Sequence, residues 1–234
     1  MRRASRFLAI AFLVAALSTT TARAQSPPQT TLADLLNGGS ITWGDKIFFN
    51  FHNATTSGTL DVAYDQIFVD CVTGGLNDDE IGLRFSSSLW DLNGANQSYD
   101  LGFDFSVTRI DGLPLISDNT LEITGGFEGD GHADIAEGVT DRADGSTLAN
   151  KYVYFDALET KLIDHQLFEH LAAIIDISKD FKMRTGEDPD SRVFVSHFDQ
   201  TFSQAIPEPT SVIMLGVGAG TAGLVTIRRR RSRS

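Results

Sequence analysis

The chain has 234 residues and a formal net charge of −12, with 31 acidic against 19 basic residues. Nine of the basic residues lie in the two ends, so residues 25–206 hold 10 basic against 30 acidic side chains, a net charge of −20. A surface this acidic repels nucleic acid, which excludes nucleic-acid partners. The single cysteine, Cys71, permits no intrachain disulfide, and its apolar neighbours predict that it is buried.

The N-terminal segment, residues 1–24, has the layout of a secretory signal peptide. Arginines precede the eleven-residue apolar stretch Phe7–Leu17, and Ala22 and Ala24 are the small residues of a cleavage site. This layout predicts export through the translocon and removal of the segment by signal peptidase. A short leader is expected over residues 25–39.

Residues 40–205 are expected to form one exported, acidic, mainly β domain. Alternating apolar and polar residues over four to eight positions predict strands with one buried face. The predicted strands are Ile41–Trp43, Ile47–Phe51, Leu60–Tyr64, Ile67–Val72, Ile81–Phe85, Leu101–Val107, Lys151–Phe155, Ala172–Ile177 and Arg192–Phe198. Turn formers punctuate them, and a helical turn is expected at Leu32–Asn37. Many short strands at this spacing predict an antiparallel β-sandwich of a jelly-roll-like kind.

The stretch 127–146 is rich in glycine and acidic residues and is predicted to be a loop. Glu128, Asp130 and Asp134 place oxygen ligands at alternating positions, and the glycines allow tight turns, which together suit Ca²⁺. The spacing does not match the twelve-residue EF-hand pattern. A solvated loop without metal is the alternative, and no other cofactor is expected.

Residues 158–171 carry apolar side chains at an approximately helical spacing. The pattern fits a short helix or a strand–turn–strand, and we favour the helix. His165 and His170 are five residues apart, which is about 140° around a helix, so they cannot both face one metal ion. Ordinary, partly exposed histidines are therefore predicted.

Five aromatic residues lie at spacings that suit either a sugar-stacking platform or the hydrophobic core, and the core is favoured. They are Trp43, Trp90, Tyr99, Tyr152 and Tyr154. The sequence has no nucleophile elbow, phosphate-binding loop, dinucleotide fingerprint or paired-cysteine motif. No catalytic residue is assigned, and the protein is predicted not to be an enzyme.

The last 29 residues consist of three chemically distinct blocks. In order, they are the motif Pro207, Glu208 and Pro209, the uncharged apolar run Thr210–Ile227, and the basic cluster Arg228, Arg229, Arg230 and Arg231. As a helix the apolar run reaches roughly 27 Å, close to the thickness of a bilayer's hydrocarbon core. Because Lys and Arg are enriched on the cytoplasmic side, the C-terminus is predicted to lie inside and the domain outside. A plain stop-transfer anchor is the alternative.

This order of motif, apolar run and arginine cluster at the extreme C-terminus resembles the PEP-CTERM sorting signal, over residues 206–234. The resemblance implies that Pro207, Glu208 and Pro209 are recognised by an exosortase, a membrane-embedded cysteine peptidase or transpeptidase. It implies that Thr210–Ile227 is the single transmembrane helix and that the arginines retain the tail in the cytoplasm. It also links the chain to exopolysaccharide and biofilm production.

We therefore expect an exported protein anchored first in the cytoplasmic membrane, then released or transferred to the cell surface or extracellular matrix. A structural or adhesive role in the envelope or exopolysaccharide layer is predicted, with exopolysaccharide as a further partner. A carbohydrate-binding module is the first alternative, and it requires exposed aromatic residues on one sheet face. A secreted hydrolase is the second.

Overall fold

The computed structural model describes residues 29–75, 80–110 and 115–204, which form fourteen β-strands. In chain order the strands are β1 (Gln29–Thr31), β2 (Ile41–Trp43), β3 (Lys46–Gly58), β4 (Phe68–Gly74), β5 (Glu80–Ser86), β6 (Asp91–Asn93), β7 (Ser98–Arg109), β8 (Ile116–Glu128), β9 (His132–Asp141), β10 (Thr147–Phe155), β11 (Thr160–Lys161), β12 (Ile163–Ala172), β13 (Ile174–Arg184) and β14 (Arg192–Gln204). A helix, α1 (Leu32–Leu36), and a 3-10 turn at Tyr64–Gln66 complete the regular structure of these residues.

The strands form two antiparallel sheets that pack face to face as a sandwich. The first sheet has the order β1-β4-β5-β14-β8-β12, with β6 also paired to β14. The second sheet has the order β11-β10-β9-β13-β7-β3-β2. The predicted antiparallel β-sandwich is confirmed.

The core lies between the two sheets because alternate residues of each strand point inward. Phe85 of the first sheet packs against Phe103 and Phe105 of the second, with ring centroids 5.1 and 6.1 Å apart. Phe198 and Phe181 make a similar contact at 5.5 Å. This aromatic layer fills the space between the two sheets.

The predicted helical turn at Leu32–Asn37 is confirmed as α1, a helix of five residues. Thr31 and Asp34 form a reciprocal capping box: the Thr31 hydroxyl accepts from the Asp34 amide, and the Asp34 carboxylate accepts from the Thr31 amide. Leu32 and Leu35 are buried. The short helix is therefore fixed by its cap and by two side chains in the core.

Cys71 is buried in β4, as predicted. Burial, with a smaller contribution from Asp70, raises the pKa of its thiol to about 11. The thiolate, which is the reactive form of cysteine, is therefore scarce at neutral pH.

The helix predicted over residues 158–171 is wrong, because most of this segment is strand β12. Its backbone pairs with β8, with Ile163 opposite Glu122. A helix would bury its apolar stripe, but Leu158 and Leu167 are 91% and 69% exposed. Pairing with the edge of the first sheet satisfies the backbone without burying these leucines.

The loop predicted over residues 127–146 is also wrong, because half of this segment is strand β9 and its first two residues end β8. Ile135, Glu137 and Val139 point into the core, while the residues between them face outward. Glu137 is acidic although it faces inward, and the outward positions are also acidic or small. The alternation of apolar and polar residues along β9 is therefore obscured. The turn before β9 is short, and Gly129 adopts a positive φ of 63° there.

Several predicted boundaries shift in the structure. Gly125 lies inside β8, where an added Cβ would sit 2.2 Å from the Phe194 carbonyl oxygen, so glycine allows the close approach of β8 and β14. Strand β3 extends to Gly58, beyond the predicted end at Phe51, and β14 extends to Gln204, beyond the predicted end at Phe198. The strand predicted at Leu60–Tyr64 is absent from the described residues.

Both chain ends lie outside the described residues. These ends include Ala22 and Ala24, the motif Pro207, Glu208 and Pro209, the run Thr210–Ile227 and the cluster Arg228–Arg231. Among the described residues, none of the helices has the length and apolar character needed to span a bilayer.

Candidate functional site

The outer face of the second sheet carries a groove across four neighbouring strands, β3, β7, β13 and β9. The strand register aligns His52, Asp104, Ser178 and Gly138 in one row. The groove lies over this row and has a volume of about 330 Å³. Its polar lining residues are Asn50, His52, Asp104, Thr140, Arg142, Asp176 and Ser178, and Gly138 lies on its floor.

Two irregularities of β3 shape one wall of the groove. The pairing with β7 shifts register on both sides of His52, and Asn50 and Asn53 adopt positive φ angles of 56° and 54°. Such angles are uncommon outside glycine, and bulges of this kind re-aim side chains, often near binding sites. We infer that the local strain serves the placement of this wall.

One hydrogen bond within the bulged segment and one to β7 hold this wall in place. Nδ1 of His52 donates to the Asn50 carbonyl at 2.7 Å, so the Nε2 atom carries the remaining hydrogen-bonding capacity of the ring. Nδ2 of Asn53 donates to Oδ2 of Asp104, also at 2.7 Å. The hydrogen bond from Asn53 orients the Asp104 carboxylate and leaves its second oxygen available to a ligand.

A charged network forms the other end of the groove. Arg142 Nε donates to both carboxylate oxygens of Asp176, at 3.1 and 3.0 Å, and its Nη2 donates to the Ser106 hydroxyl. The guanidinium lies 5.3 Å from the centre of the Phe49 ring. Burial alone raises the pKa of Asp176, but hydrogen bonds from Arg142 and Ser106 outweigh it and hold the pKa below its usual value. Asp176 therefore stays ionised and rigid.

The middle of this outer face carries residues with small side chains or none. An added Cβ at Gly138 would meet only Oδ1 of Asn150, at 3.9 Å, so this position is open space above the sheet. Ala136 and Gly102 lie on the same face in the adjacent row, on either side of Asp180. A ligand chain can therefore approach the backbone closely between taller side chains.

Two tyrosines stand beside this low strip on β10. Tyr152 lies opposite Ala136, is 42% exposed, and its ring centroid is 5.3 Å from that of Tyr154. Burial and the nearby Asp134 raise the pKa of the Tyr152 phenol. Of the five aromatic residues named from the sequence, Trp90 and Tyr99 are core residues, as favoured, and Trp43 is half-buried and packs against the core.

The three carboxylates predicted to bind calcium contact different partners. Oδ1 of Asp130 accepts from the Ser191 hydroxyl and from the Gly186 amide, which ties two turns together. Asp134 accepts from Nε2 of His132 at 2.8 Å. Glu128 ends β8 opposite Arg192. The structure does not bring the three into one group, and calcium binding there stays a prediction.

Two other groups bring potential metal ligands within 4.8 Å of one another among the described residues. One is Glu80, Asp118 and His165 on the first sheet, and the other is Asp141, Asp144 and His170. The sequence correctly separates His165 from His170, since each faces a different group. It misses the groups themselves because each combines residues from segments that lie far apart in the sequence.

No protein-family model and no curated protein matches the chain. Among solved structures, it is similar to TmCBM61 in complex with β-1,4-galactotriose, with 12% identity and a TM-score of 0.25 over 63% of this chain and 87% of that one. It is also similar to the family 11 carbohydrate-binding module from Clostridium thermocellum in complex with a β-1,3-1,4-mixed-linked tetrasaccharide, with 12% identity and a TM-score of 0.21 over 75% and 96%. A third similarity is to the enzymatically active domain of bacteriophage CBA120 tailspike protein 4, with 11% identity and a TM-score of 0.27, over 64% of this chain but 19% of that one. Similarities this weak carry no argument about function, which rests on the side chains of the groove.

Proposed function

We propose that the described domain binds a neutral polysaccharide, with a stretch of the sugar chain lying in the groove on the outer face of the second sheet. The observation that carries this proposal is the groove itself: a low floor at Gly138 between side chains held in fixed positions. Sugar hydroxyls both donate and accept hydrogen bonds. Asp104 offers acceptors and Arg142 offers donors, and preorganised polar groups of this kind give a concave site its specificity.

The charge of the domain favours a neutral ligand. Residues 25–206 carry a net charge of −20, which repels polyanions such as uronate-rich chains. Arg142 does not reverse this preference because Asp176 already neutralises it. Binding through hydroxyl groups and ring contacts is then expected to depend weakly on salt.

Binding without hydrolysis fits the state of Asp176. Most glycosidases need a protonated carboxylic acid with a raised pKa as well as a second carboxylate. The pKa of Asp176 is lowered instead, so this group is poorly suited to donate a proton to a leaving sugar. We therefore favour a binding module over the hydrolase.

A blocked groove tests the proposal. Gly138→Trp fills the open space above the floor and is expected to weaken polysaccharide binding at least about tenfold, which is about 1.4 kcal/mol. Gly138→Ala, the matched control, adds one methyl group and is expected to bind within about twofold of the wild type. The measurement is affinity electrophoresis or calorimetry against a panel of neutral and uronate-containing glycans. Equal affinity of wild type and Gly138→Trp for every glycan that binds would refute the groove as the site.

We also propose that the C-terminal signal delivers this domain to the polysaccharide. The support is the order of blocks in the sequence: the Pro207-Glu208-Pro209 motif, the apolar run Thr210–Ile227 and the arginine cluster. Prolines lack an amide donor and favour extended backbone, which suits presentation of the motif to an exosortase. Retention in the envelope or matrix then follows from glycan binding, in line with an adhesive role.

Replacing Pro207, Glu208 and Pro209 with alanines tests delivery. The variant is expected to remain in the membrane fraction with its tail uncut, while the wild type appears at the surface or in the medium with a smaller mass. Ser232→Ala, beyond the main arginine cluster, is the control and is expected to sort normally. An unchanged mass and location of the alanine variant would leave the motif without a role.

A further inference from the structure

Three charged residues lie side by side in the core on the inner face of the second sheet. The register places Glu137 of β9 opposite Lys151 of β10 and opposite Lys179 of β13. All three side chains are 0% exposed. Two ammonium groups against one carboxylate leave an excess positive charge in a medium where an unpaired charge is costly.

A buried amide of the first sheet reaches into this row. Nδ2 of Asn119, on β8, donates to Oε1 of Glu137 at 2.7 Å. Nζ of Lys151 lies 3.0 Å from the same oxygen. An amine and a primary amide are therefore held against one carboxylate oxygen, out of contact with water.

Neither of these two groups has its hydrogen bonds completed among the described residues. Nζ of Lys151 has the Glu137 carboxylate as its partner, at 3.0 Å, and Oδ1 of Asn119 has no hydrogen-bond partner. A buried polar atom without a partner needs an explanation in a folded domain. Both groups, with unused hydrogen-bonding capacity, lie beside the carboxylate of Glu137.

The second lysine is held differently. Nζ of Lys179 donates to Oε2 of Glu137 and to Oε1 of Gln200, and it lies 5.6 Å from the centre of the Phe198 ring. These contacts suit a permanent ammonium ion. Lys151 lacks the contacts with Gln200 and Phe198, so its amine is the one available to react.

We propose that Lys151 and Asn119 condense to form an intramolecular isopeptide bond, which links β10 of the second sheet to β8 of the first. Glu137 acts as the proton carrier and is not consumed. The reaction requires no oxidant, metal or external enzyme.

The condensation replaces the side-chain amide nitrogen of Asn119 with Nζ of Lys151 and releases ammonium. The Glu137 carboxylate accepts a proton from the Lys151 ammonium, and the neutral amine attacks Cγ of Asn119. The new C–N bond forms, the bond from Cγ to Nδ2 breaks, and Glu137 passes protons to the departing nitrogen. Ammonium leaves, Glu137 returns to a carboxylate, and Lys179 remains as its partner.

The electrostatics of the cluster support this course. Burial, which outweighs the attraction of Glu137, lowers the pKa of Lys151 to about 8, so a neutral amine is accessible near neutral pH. Burial raises the pKa of Glu137, but the two lysines outweigh it and lower the pKa, so Glu137 is ionised before the reaction begins. Amide formation also removes the excess positive charge, which leaves one buried ion pair.

Tryptic mapping of the purified full chain under denaturing, reducing conditions tests the proposal. Trypsin separates peptides 110–142 and 143–151 of an unlinked chain, because Arg142 and Lys151 are cleavage sites. The linked chain is expected to give one branched peptide, 110–142 joined to 143–161 through Asn119 and Lys151. Its mass is about 17 Da below the sum of its parts, the mass of the lost ammonia. Recovery of the two unlinked peptides from the wild type, or a branch at Lys179, would overturn the assignment.

Two variants make the result specific. Lys151→Met keeps the length of the side chain but has no amine, and it is expected to lose the branch. Lys182→Met, on the exposed end of β13, is expected to keep it. A branched peptide containing 110–142 that persists in Lys151→Met would show that another group reacts. Loss of the branch in both variants would also refute the mechanism.

Discussion

Glu137→Gln is expected to lower the free energy of unfolding by about 3–5 kcal/mol, the usual cost of removing one partner of a buried ion pair. The substitution leaves Lys151 and Lys179 in the core without a carboxylate, and all three side chains are fully buried. Since domains of this size are stable by about 5–15 kcal/mol, the change removes a large share of the total. Urea denaturation followed by tryptophan fluorescence measures it, since Trp90 is buried in the folded domain. The comparison is made in an Asn119→Ala background, so that the loss of a covalent link does not contribute.

Two further variants separate the charge effect from a general intolerance of change. Glu169→Gln, at an exposed position of β12, is expected to alter stability by no more than about 0.5 kcal/mol. A triple variant, Glu137→Leu with Lys151→Met and Lys179→Met, removes every charge of the row. It is expected to recover most of the lost stability, because apolar replacements of whole buried ion clusters are often neutral or better. A triple variant as unstable as Glu137→Gln would contradict this account of the core.

Phe198→Ala is expected to cost about 3–5 kcal/mol, the range for truncating a fully buried phenylalanine. Its ring packs against Phe85, Trp90 and Phe181, with centroids 5.0, 5.6 and 5.5 Å away. The truncation opens a cavity where the two sheets meet and removes the ring that faces Lys179. Urea denaturation again provides the measurement.

Phe194→Ala is the matched control on the same strand, β14. Its side chain points to the opposite face, is partly exposed, and contacts Arg192. The expected loss is about 1 kcal/mol or less, since no enclosed cavity forms. Equal losses for Phe194→Ala and Phe198→Ala would mean that the aromatic layer does not stabilise the sandwich as described.

The alternation of the sequence is a good guide where one face of a strand is apolar and the other polar. Strands β5 and β7 were predicted from this pattern and are confirmed, because their inward residues are uniformly apolar. The pattern fails where charge points inward. Glu137 lies between Ile135 and Val139 on the buried side of β9, so the segment has the composition of an acidic loop.

The inward placement of charge also conceals the buried cluster of Glu137, Lys151 and Lys179 in the sequence. Each charged residue occupies an inward position flanked by apolar residues two places away, which is a signal that a search for charged loops overlooks. The flanking residues are Ile135 and Val139 for Glu137, Ala149 and Val153 for Lys151, and Ile177 and Phe181 for Lys179. Their meeting is set by strand register, and register between distant strands follows from the whole sandwich rather than from local spacing.

The groove was hidden for a related reason. The bulges around His52 break the alternation of β3, and their only local sign is a pair of asparagines, Asn50 and Asn53. Arg142 and Asp176 lie far from them in sequence and meet them through the strand order. Aromatic residues at strand spacing do not predict which face of a sheet they occupy, since Tyr152 points outward and Tyr99 lies in the core.

Chemical-shift mapping of the mature chain with a glycan that it binds tests the central claim most directly. We predict that backbone amide shifts on titration concentrate on the outer face of the second sheet, at His52, Asp104, Ser178 and Thr140. The outer face of the first sheet, around Asp118, is predicted to be unaffected. Shifts that concentrate around Asp118, or a glycan that binds without moving any resonance of the groove, would contradict the proposed site.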